Sequence, residues 1–393
     1  MPPFIRTVTI QNYKNIASCR VDLGPLMFMV GPNGSGKSNF LDAMQFVSDA
    51  LRYSLDHVLR NHGIFLATSL RPRGGGTHFS IRLDFTRLSG QEGHYVFRIK
   101  ADSSGACEVQ DEECVIGDDR FRVRSGKVIS CSVPLMPAAL PDRLFLVAAS
   151  GIPEFRPVFD ALSRIAVYNP NPREIAKMQQ PDPGDILRKN GGNAASVLRR
   201  VGPEVQETLR TFLSRIVPLI TGVRPTTIGQ YETIEFLQAV KGEDNPLPFT
   251  AFEMSDGTLR AFGNLLAVFQ TASTRVGGSP SLLIGLEEPE MGLHPAAASV
   301  LLSALREGAR HCQIIVTSHS PDLLDNPDID VDSLLAVESE DGVCRIGPVD
   351  QASRETLRER LFTPGELLRL NQLELDDVDG NAPEITLFDM SGR

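Results

Sequence analysis

The chain has 393 residues, 41% hydrophobic and 22% charged, which excludes a disordered or low-complexity polymer and leaves room for two or three packed sub-domains. Its net charge is −10 but uneven: residues 1–200 carry 25 Lys/Arg against 19 Asp/Glu, and residues 201–393 carry 14 against 30. No apolar run approaches the roughly 18 residues of a membrane span, and MPPFIRTVTIQNYKN lacks the basic-then-apolar order of a signal peptide, so the expected compartment is the cytoplasm, with no membrane partner.

FIRTVTIQNY and RVDLGPLMFMV read as strands, the second ending at a glycine-rich turn. KSNFLDAMQFVSDALRYSL follows with Phe40, Leu41, Met44, Phe46, Val47 and Leu51 at helical spacing. HFSIRLDFTRL, HYVFRIKA, CEVQDEECVIG, RFRVR and KVISCSV then predict an antiparallel meander, because their connections are too short for crossover helices. From 139 to 220 the pattern is helical, broken at NPNPRE, QQPDPGD and NGGN, with VQETLRTFLSRIVPLI its clearest amphipathic helix.

TIGQYETIEFLQAV predicts a strand pair, SDGTLRAFGNLLAVFQTA an N-capped helix, and SLLIGL a buried strand. PAAASVLLSALREGA predicts a helix with Pro in its first turn, and CQIIVTS a second buried strand; this order suggests a parallel sheet. The expected divisions are a first lobe over 1–138, a helical insertion over 139–220, a second lobe over 221–350 and a C-terminal tail over 351–393, whose end ELDDVDGNAPEITLFDMSGR reads as loosely ordered. The six cysteines form no C-x-x-C pair and no zinc spacing, so reduced core thiols are expected.

Four segments carry chemistry. Gly31-Pro-Asn-Gly-Ser-Gly36-Lys37-Ser38 fits G-x-x-x-x-G-K-[ST] between a strand and a helix. Its glycines let backbone N–H groups turn toward phosphate oxygens; Lys37 is expected to reach the β- and γ-phosphates and the Ser38 hydroxyl to ligate Mg²⁺. In Leu282–Glu290 an apolar strand ends in Glu287 and Glu288, which places carboxylates at the carboxyl edge of a parallel sheet. One can hold a metal shell and the next can orient an attacking water. Ser255-Asp256-Gly257-Thr258 reads on its own as a helix N-cap. His319, in VTSHSP, stands in a polar loop after a buried strand.

In this order the four segments resemble the motif series of ABC-type ATPases, and within them the SMC/RecF-like group of compact AAA family ATPases. GPNGSGKSNFLDAMQFV is similar to the SMC-type phosphate-loop region, and LEEPEMGLHP and VTSHSP resemble compact RecF-like proteins. The resemblance covers about 1–50 and 250–325 well, and the middle in outline. It implies an α/β P-loop ATPase head with a mixed and antiparallel first lobe, a helical insertion and a parallel-sheet second lobe.

By resemblance, Gly31, Pro32, Asn33, Gly34, Ser35, Gly36, Lys37, Ser38 and Asn39 bind nucleotide, and Ser255, Asp256, Gly257 and Thr258 form the signature that acts on a partner's nucleotide. Glu287 stands with Ser38 as a metal ligand, Glu288 and His319 as the catalytic pair, and Gly292 to Pro295 as the D-loop. The implied cofactors are ATP and Mg²⁺, and the implied partner is a second copy joined head-to-tail through ATP. The chain departs from the family in having Glu at 287, Met at 291 and SDGT as signature. Gln45 reads as structural, and Gln179 and Gln180 fit a Q-loop by position alone. About 217 residues separate Ser38 from Ser255 without heptads, which excludes long coiled-coil arms.

Two readings of function remain open: an ATPase that regulates a DNA-linked process such as repair or phage defence, and a slow ATPase that holds a separate effector, a nuclease or toxin. Arg60, Arg71, Arg73, Arg199 and Arg200 are the DNA-contact candidates, although no dense basic block appears. Asp328, Asp330 and Asp332 imitate a two-metal nuclease site, but alternate acids beside a strand more often form an exposed face.

Overall fold

The computed structural model describes residues 4–64, 78–87, 89–101, 107–134, 137–272, 283–376 and 387–388. The chain divides into two compact units, one gathering 2–165, 330–361 and 371–393, the other 166–329 and 362–370.

The first unit opens with β1 (Ile5–Tyr13), β2 (Ile16–Asp22), β3 (Leu26–Val30), α1 (Lys37–Arg52) and α2 (Leu55–Asn61). It continues through β4 (His78–Thr86), β5 (Glu92–Ala101), β6 (Cys107–Ile116), β7 (Asp119–Arg124) and β8 (Lys127–Cys131), then α3 (Phe145–Ala149) and α4 (Arg156–Leu162). The second unit runs β9 (Ala166–Tyr168), α5 (Pro172–Ala176), α6 (Ala194–Arg200), α7 (Pro203–Ile216), β10 (Ile220–Ile228), β11 (Tyr231–Gln238) and β12 (Leu247–Thr250). It goes on through α8 (Asp256–Phe269), β13 (Leu283–Glu287), α9 (Pro295–Gly308), β14 (Gln313–Ser318) and α10 (Pro321–Leu324). The chain then adds β15 (Leu334–Glu340), β16 (Val343–Pro348) and α11 (Gln351–Arg358) to the first unit and α12 (Pro364–Arg369) to the second.

In the first unit the strand order is β8-β7-β6-β5-β4-β1-β2-β16-β15-β3. Pairing is antiparallel from β8 to β2, while β16 joins β2 and β15 joins β3 in parallel. The meander follows from alternation: Phe79, Ile81, Leu83 and Phe85 of β4 are buried, as are Tyr95, Phe97 and Ile99 of β5. Burial of Phe40, Leu41, Met44, Phe46, Val47 and Leu51 matches the apolar stripe read for α1. The Phe46 ring meets Phe79 edge-on at 5.2 Å and Tyr13 at 5.8 Å, which packs α1 against β1 and β4.

In the second unit β9, β13 and β14 form a parallel set, and β10, β11 and β12 a separate antiparallel sheet. α8 is apolar on most of its circumference, with Leu259, Phe262, Leu265, Leu266 and Phe269 buried. Phe262 meets Phe236 edge-on at 5.5 Å and Phe269 stacks on Phe212 at 5.3 Å, so α8 is a central core helix. Residues 139–220 hold α3 to α7 and also β9; 139–165 belong to one unit and 166–220 to the other.

All six cysteines are free thiols. No helix among the described residues is long and apolar enough to cross a membrane. Arg71 and Arg73 lie outside the described residues, as does most of the tail beyond 376. Arg60 pairs with Asp56, Arg199 with Glu232 and Arg200 with Asp185. Asp330 caps the short 3-10 turn before β15, Asp332 pairs with Arg358, and the Asp328 N–H donates to Asn326 Oδ1. Each of these three aspartates thus has local structural work.

His62 joins the two ends of α1's acidic face. Its Nδ1 lies 2.9 Å from Asp42 Oδ1 and its Nε2 3.1 Å from Asp49 Oδ2, while Lys14 and Tyr13 also reach Asp42. Burial alone lowers the imidazole pKa, but the two carboxylates outweigh it and raise it above 6.5. A raised folded pKa stabilises fully below 6.5, and the gain fades as pH rises through the folded value. The thermal midpoint should therefore fall as pH is raised from about 6 to about 9, and His62→Gln should flatten that slope. A scan of melting temperature against pH for both proteins checks this.

Candidate functional site

The first part of the candidate machinery is the turn between β3 and α1, in the first unit. Gly36 sits at φ +117°, and a Cβ there would lie 2.3 Å from Cys344 Sγ; a Cβ at Gly31 would lie 2.0 Å from the Val337 carbonyl oxygen. Only glycine lets the backbone pass so close. The amides at the start of the 16-residue α1 have no partner within the helix and are natural anion donors.

Lys37 is 5% exposed, and its ammonium donates to the Gly31 oxygen at 2.7 Å and the Pro32 oxygen at 2.9 Å. The Ser35 hydroxyl is buried without a hydrogen-bond partner among the described residues, and Ser38 is exposed. A cradle that a Cβ would fill, an orphaned hydroxyl and an ammonium held by loop carbonyls fit the phosphates of ATP. The exposed Ser38 hydroxyl is an oxygen donor of the kind Mg²⁺ takes. Pro32, Asn33 and Gly34 are exposed at the turn's tip. Asn39 instead turns its amide to Asn15 Oδ1 at 2.7 Å, so its side chain braces the turn from outside.

The second part lies where β13 and β14 end, in the second unit. Glu287 Oε1 is 3.2 Å from Lys189 Nζ, and its Oε2 accepts from Asn169 Nδ2 at 3.4 Å. Asn169 is there because β9 runs parallel to β13 with Tyr168 opposite Leu286, which carries the next residue to Glu287. Glu288 adopts φ +43°, rare for a residue with a side chain, and its N–H donates to the Thr317 oxygen at 3.0 Å.

Glu288 Oε1 lies 3.0 Å from His319 Nδ1, but off-line, so the buried Nδ1 has no hydrogen-bond partner among the described residues. Glu290 is 7% exposed; one oxygen accepts from Ser318 Oγ at 2.5 Å and the other has no partner among the described residues. Burial raises its pKa above the ordinary carboxyl value, although the Ser318 bond opposes the shift. Asn264 of α8 fixes the same turn by donating to the Pro289 oxygen at 2.8 Å.

The third part is the amino end of α8. Ser255 caps the helix, its Oγ accepting from the Thr258 N–H at 3.3 Å and lying 2.9 Å from Thr258 Oγ1. A Cβ at Gly257 would lie 2.4 Å from the Gly292 oxygen, so the turn that opens α8 and the turn after β13 touch. His294, at the end of that loop, caps α9 through its Nδ1. A cavity of about 910 Å³ opens here, lined by Asp256, Gly257, Arg260, Met291, Gly292 and the Asn169–Asn190 region.

Sequence reading missed Asn169 and Lys189. The stretches NPNPRE and NGGN read only as helix breaks, and Lys189 lies just before the second, yet the Asn169 N–H donates to the Lys189 oxygen at 2.9 Å and the pair brackets Glu287. Of the Q-loop candidates, Gln45 donates to Asp49, and Gln179 is buried in a backbone bridge with Glu232. Gln180 is exposed.

Lys37→Ala removes the ammonium expected to meet phosphate. Lys37→Ala should weaken ATP binding by about 1.5–3 kcal/mol, roughly 10- to 100-fold, and leave the fold intact. Thermal shift against ATP concentration measures this; an unchanged shift removes Lys37 from the site.

Residues 26–325 match the family described as "AAA domain, putative AbiEii toxin, Type IV TA system". Over 125 residues, 30% of this chain, the sequence is 31% identical to the chromosome partition protein Smc of Desulfitobacterium hafniense (strain Y51). That alignment spans 10% of the Smc protein. Among solved structures, an Smc head bound to the C-terminal winged-helix domain of ScpA is similar with a TM-score of 0.56 at 14% identity, covering 88% of this chain and 97% of that one. The Pyrococcus furiosus Smc head with an extended coiled coil, bound to the C-terminal domain of ScpA, gives 0.57 at 10% identity, covering 92% and 100%. The fold is thus that of an SMC head ATPase, and the chain belongs to this AAA domain family.

Proposed function

We propose that the chain binds and hydrolyses ATP with Mg²⁺, and that two copies close head-to-tail around the nucleotide. The observation that carries this reading is the turn after β13: Glu288 is held at φ +43° with a carboxylate oxygen 3.0 Å from His319, directly after Glu287.

Phosphoryl transfer needs positioning and charge neutralisation more than covalent help. Lys37 and the amides of the glycine turn hold phosphate oxygens. Mg²⁺, when bound, neutralises charge that develops on the transferred phosphoryl group. Ser38 and Glu287 would each offer it a hard oxygen ligand of the kind it prefers. Glu288 orients the attacking water or accepts its proton, and His319 contacts the γ-phosphate. Ser255 and Gly257 cap the nucleotide of the second copy, so a lone head is catalytically incomplete.

The cycle serves either a DNA-linked process, in repair or phage defence, or the holding of a separate effector. The effector reading gains support from the family's description as a putative toxin of a toxin–antitoxin system and from the ScpA domains bound to the similar Smc heads. Stimulation of turnover by DNA would favour the first, and co-purification with an unrelated chain the second.

The two carboxylates should separate in experiment. Glu287→Gln is expected to weaken Mg²⁺-dependent ATP binding itself. Glu288→Gln should bind ATP and close but hydrolyse about 10²- to 10⁴-fold more slowly, the loss typical of a positioned base. Light scattering should then show a dimer in ATP and none in ADP. Unimpaired turnover by Glu288→Gln would remove it from catalysis and make Glu290 the next candidate.

A further inference from the structure

The meander of the first unit has a second face. β4 buries Phe79, Ile81 and Leu83 on the side that meets Phe46 of α1, and alternation turns Arg82 the other way. The register then lines up Arg82, Val96, Glu113 and Arg122 in one row across β4 to β7. Val96, the apolar member of that row, is fully buried in a cluster with Leu387 and Phe388 from the end of the chain.

Three arginines hold the dipeptide. Arg82 Nη1 donates to the Leu387 carbonyl oxygen at 2.6 Å, a contact that any peptide backbone can accept. The Arg98 and Arg122 guanidiniums lie 5.2 Å and 5.7 Å from the centroid of the Phe388 ring, which favours an aromatic side chain there. Carboxylates orient the three: Asp84 lies 2.9 Å from Arg82, Asp111 3.9 Å from Arg98 and Glu113 3.6 Å from Arg122. Asp376, the last described residue before Leu387, is fixed at the end of β16 by its N–H to the Pro348 oxygen at 3.0 Å. The eleven residue steps between them reach at most about 36–40 Å, whereas β16 to β5 is four strand spacings, about 19 Å. The dipeptide thus reaches this row from its own chain, and the length of the tether does not by itself pin it there.

We propose that this row is a docking slot for an extended protein segment that presents an apolar–aromatic pair, and that Leu387-Phe388 closes the slot in cis until a partner with the same chemistry displaces it. A backbone contact that ignores sequence, beside a place that selects one side chain, is the division of labour of a peptide-recognition site. The slot is separate from the nucleotide turn: β5 stands six strand spacings from β3 in the sheet order, about 29 Å. A tail on the same chain has an effective concentration on the order of millimolar. It therefore sets a threshold: weak peptides stay out, and a partner enters by binding more tightly or by holding a second surface as well.

The experiment uses the full chain and a fluorescein-labelled peptide of the sequence EITLFDMSGR, with binding read by anisotropy. The double variant Leu387→Ala, Phe388→Ala disables the tail in cis and should bind the peptide about tenfold or more tightly than the unaltered chain. A Phe388→Ala peptide should bind that variant about tenfold or more weakly, and a Phe388→Leu peptide should fall between, keeping an apolar side chain but losing the guanidinium contacts. Adding Arg98→Ala or Arg122→Ala to the variant should narrow the gap between the Phe and Leu peptides, which a merely structural arginine would not do. Thermal midpoints establish that each chain is folded, and Phe388→Leu in the chain replaces the double variant if that one is not. Equal binding by the unaltered chain and the variant would mean that the tail does not close the slot. No binding by a folded variant would mean that Leu387 and Phe388 only pack there, and either result overturns the proposal.

Discussion

A single backbone hydrogen bond organises the chemistry of the second unit. The Glu288 N–H donates to the Thr317 oxygen at 3.0 Å, which ties the end of β13 to the end of β14 one step past the pairing of Glu287 with Thr317. To make that bond Glu288 takes a left-handed φ, which costs on the order of 1–3 kcal/mol. The buried parallel register, Asn264 on the Pro289 oxygen and Glu290 on Ser318 together hold the turn in place. The consequence is chemical: two consecutive carboxylates diverge, Glu287 toward Asn169 and Lys189, and Glu288 toward His319.

Much of this was legible because it depends on local rules. The glycine spacing before Lys37, the apolar run into Glu287, the Ser255 cap and the alternation of β4 and β5 each express a backbone requirement within a few residues. What escaped depends on contacts distant in sequence. β9 is only three residues long, too short to show a pattern, and its value lies in parallel pairing with β13 more than a hundred residues later. Asn169 and Lys189 inherit that invisibility. β6 itself was legible as a strand, but its burial was not: Glu112 and Glu113 are both buried, against simple alternation. Glu112 accepts the Phe145 and Leu146 amides and the Tyr95 hydroxyl, and burial pushes its pKa up to about 7.

Charge shows the same limit. Residues 1–200 carry a Lys/Arg surplus, but Arg173, Arg188 and Lys189 among them belong to the second unit, where with Arg260 they line one cavity. Net charge along a sequence does not map onto local fields once the chain is folded. Likewise Arg60, Arg199 and Arg200 already have carboxylate partners, which weakens each as a contact for DNA.

The central claim is that hydrolysis needs the glycine turn of one copy and the signature of another. The most direct measurement mixes two variants, Lys37→Ala and Ser255→Arg, in equal amounts, at an ATP concentration too low to fill the Lys37→Ala site, and follows ATP turnover. In a mixed dimer the intact glycine turn of one protomer meets the intact signature of the other, so one site is restored. If the two sites act independently, about a quarter of wild-type turnover per chain should return, although each variant alone is inactive. Full turnover by Ser255→Arg alone, or no recovery on mixing two folded variants that exchange subunits, would contradict the account.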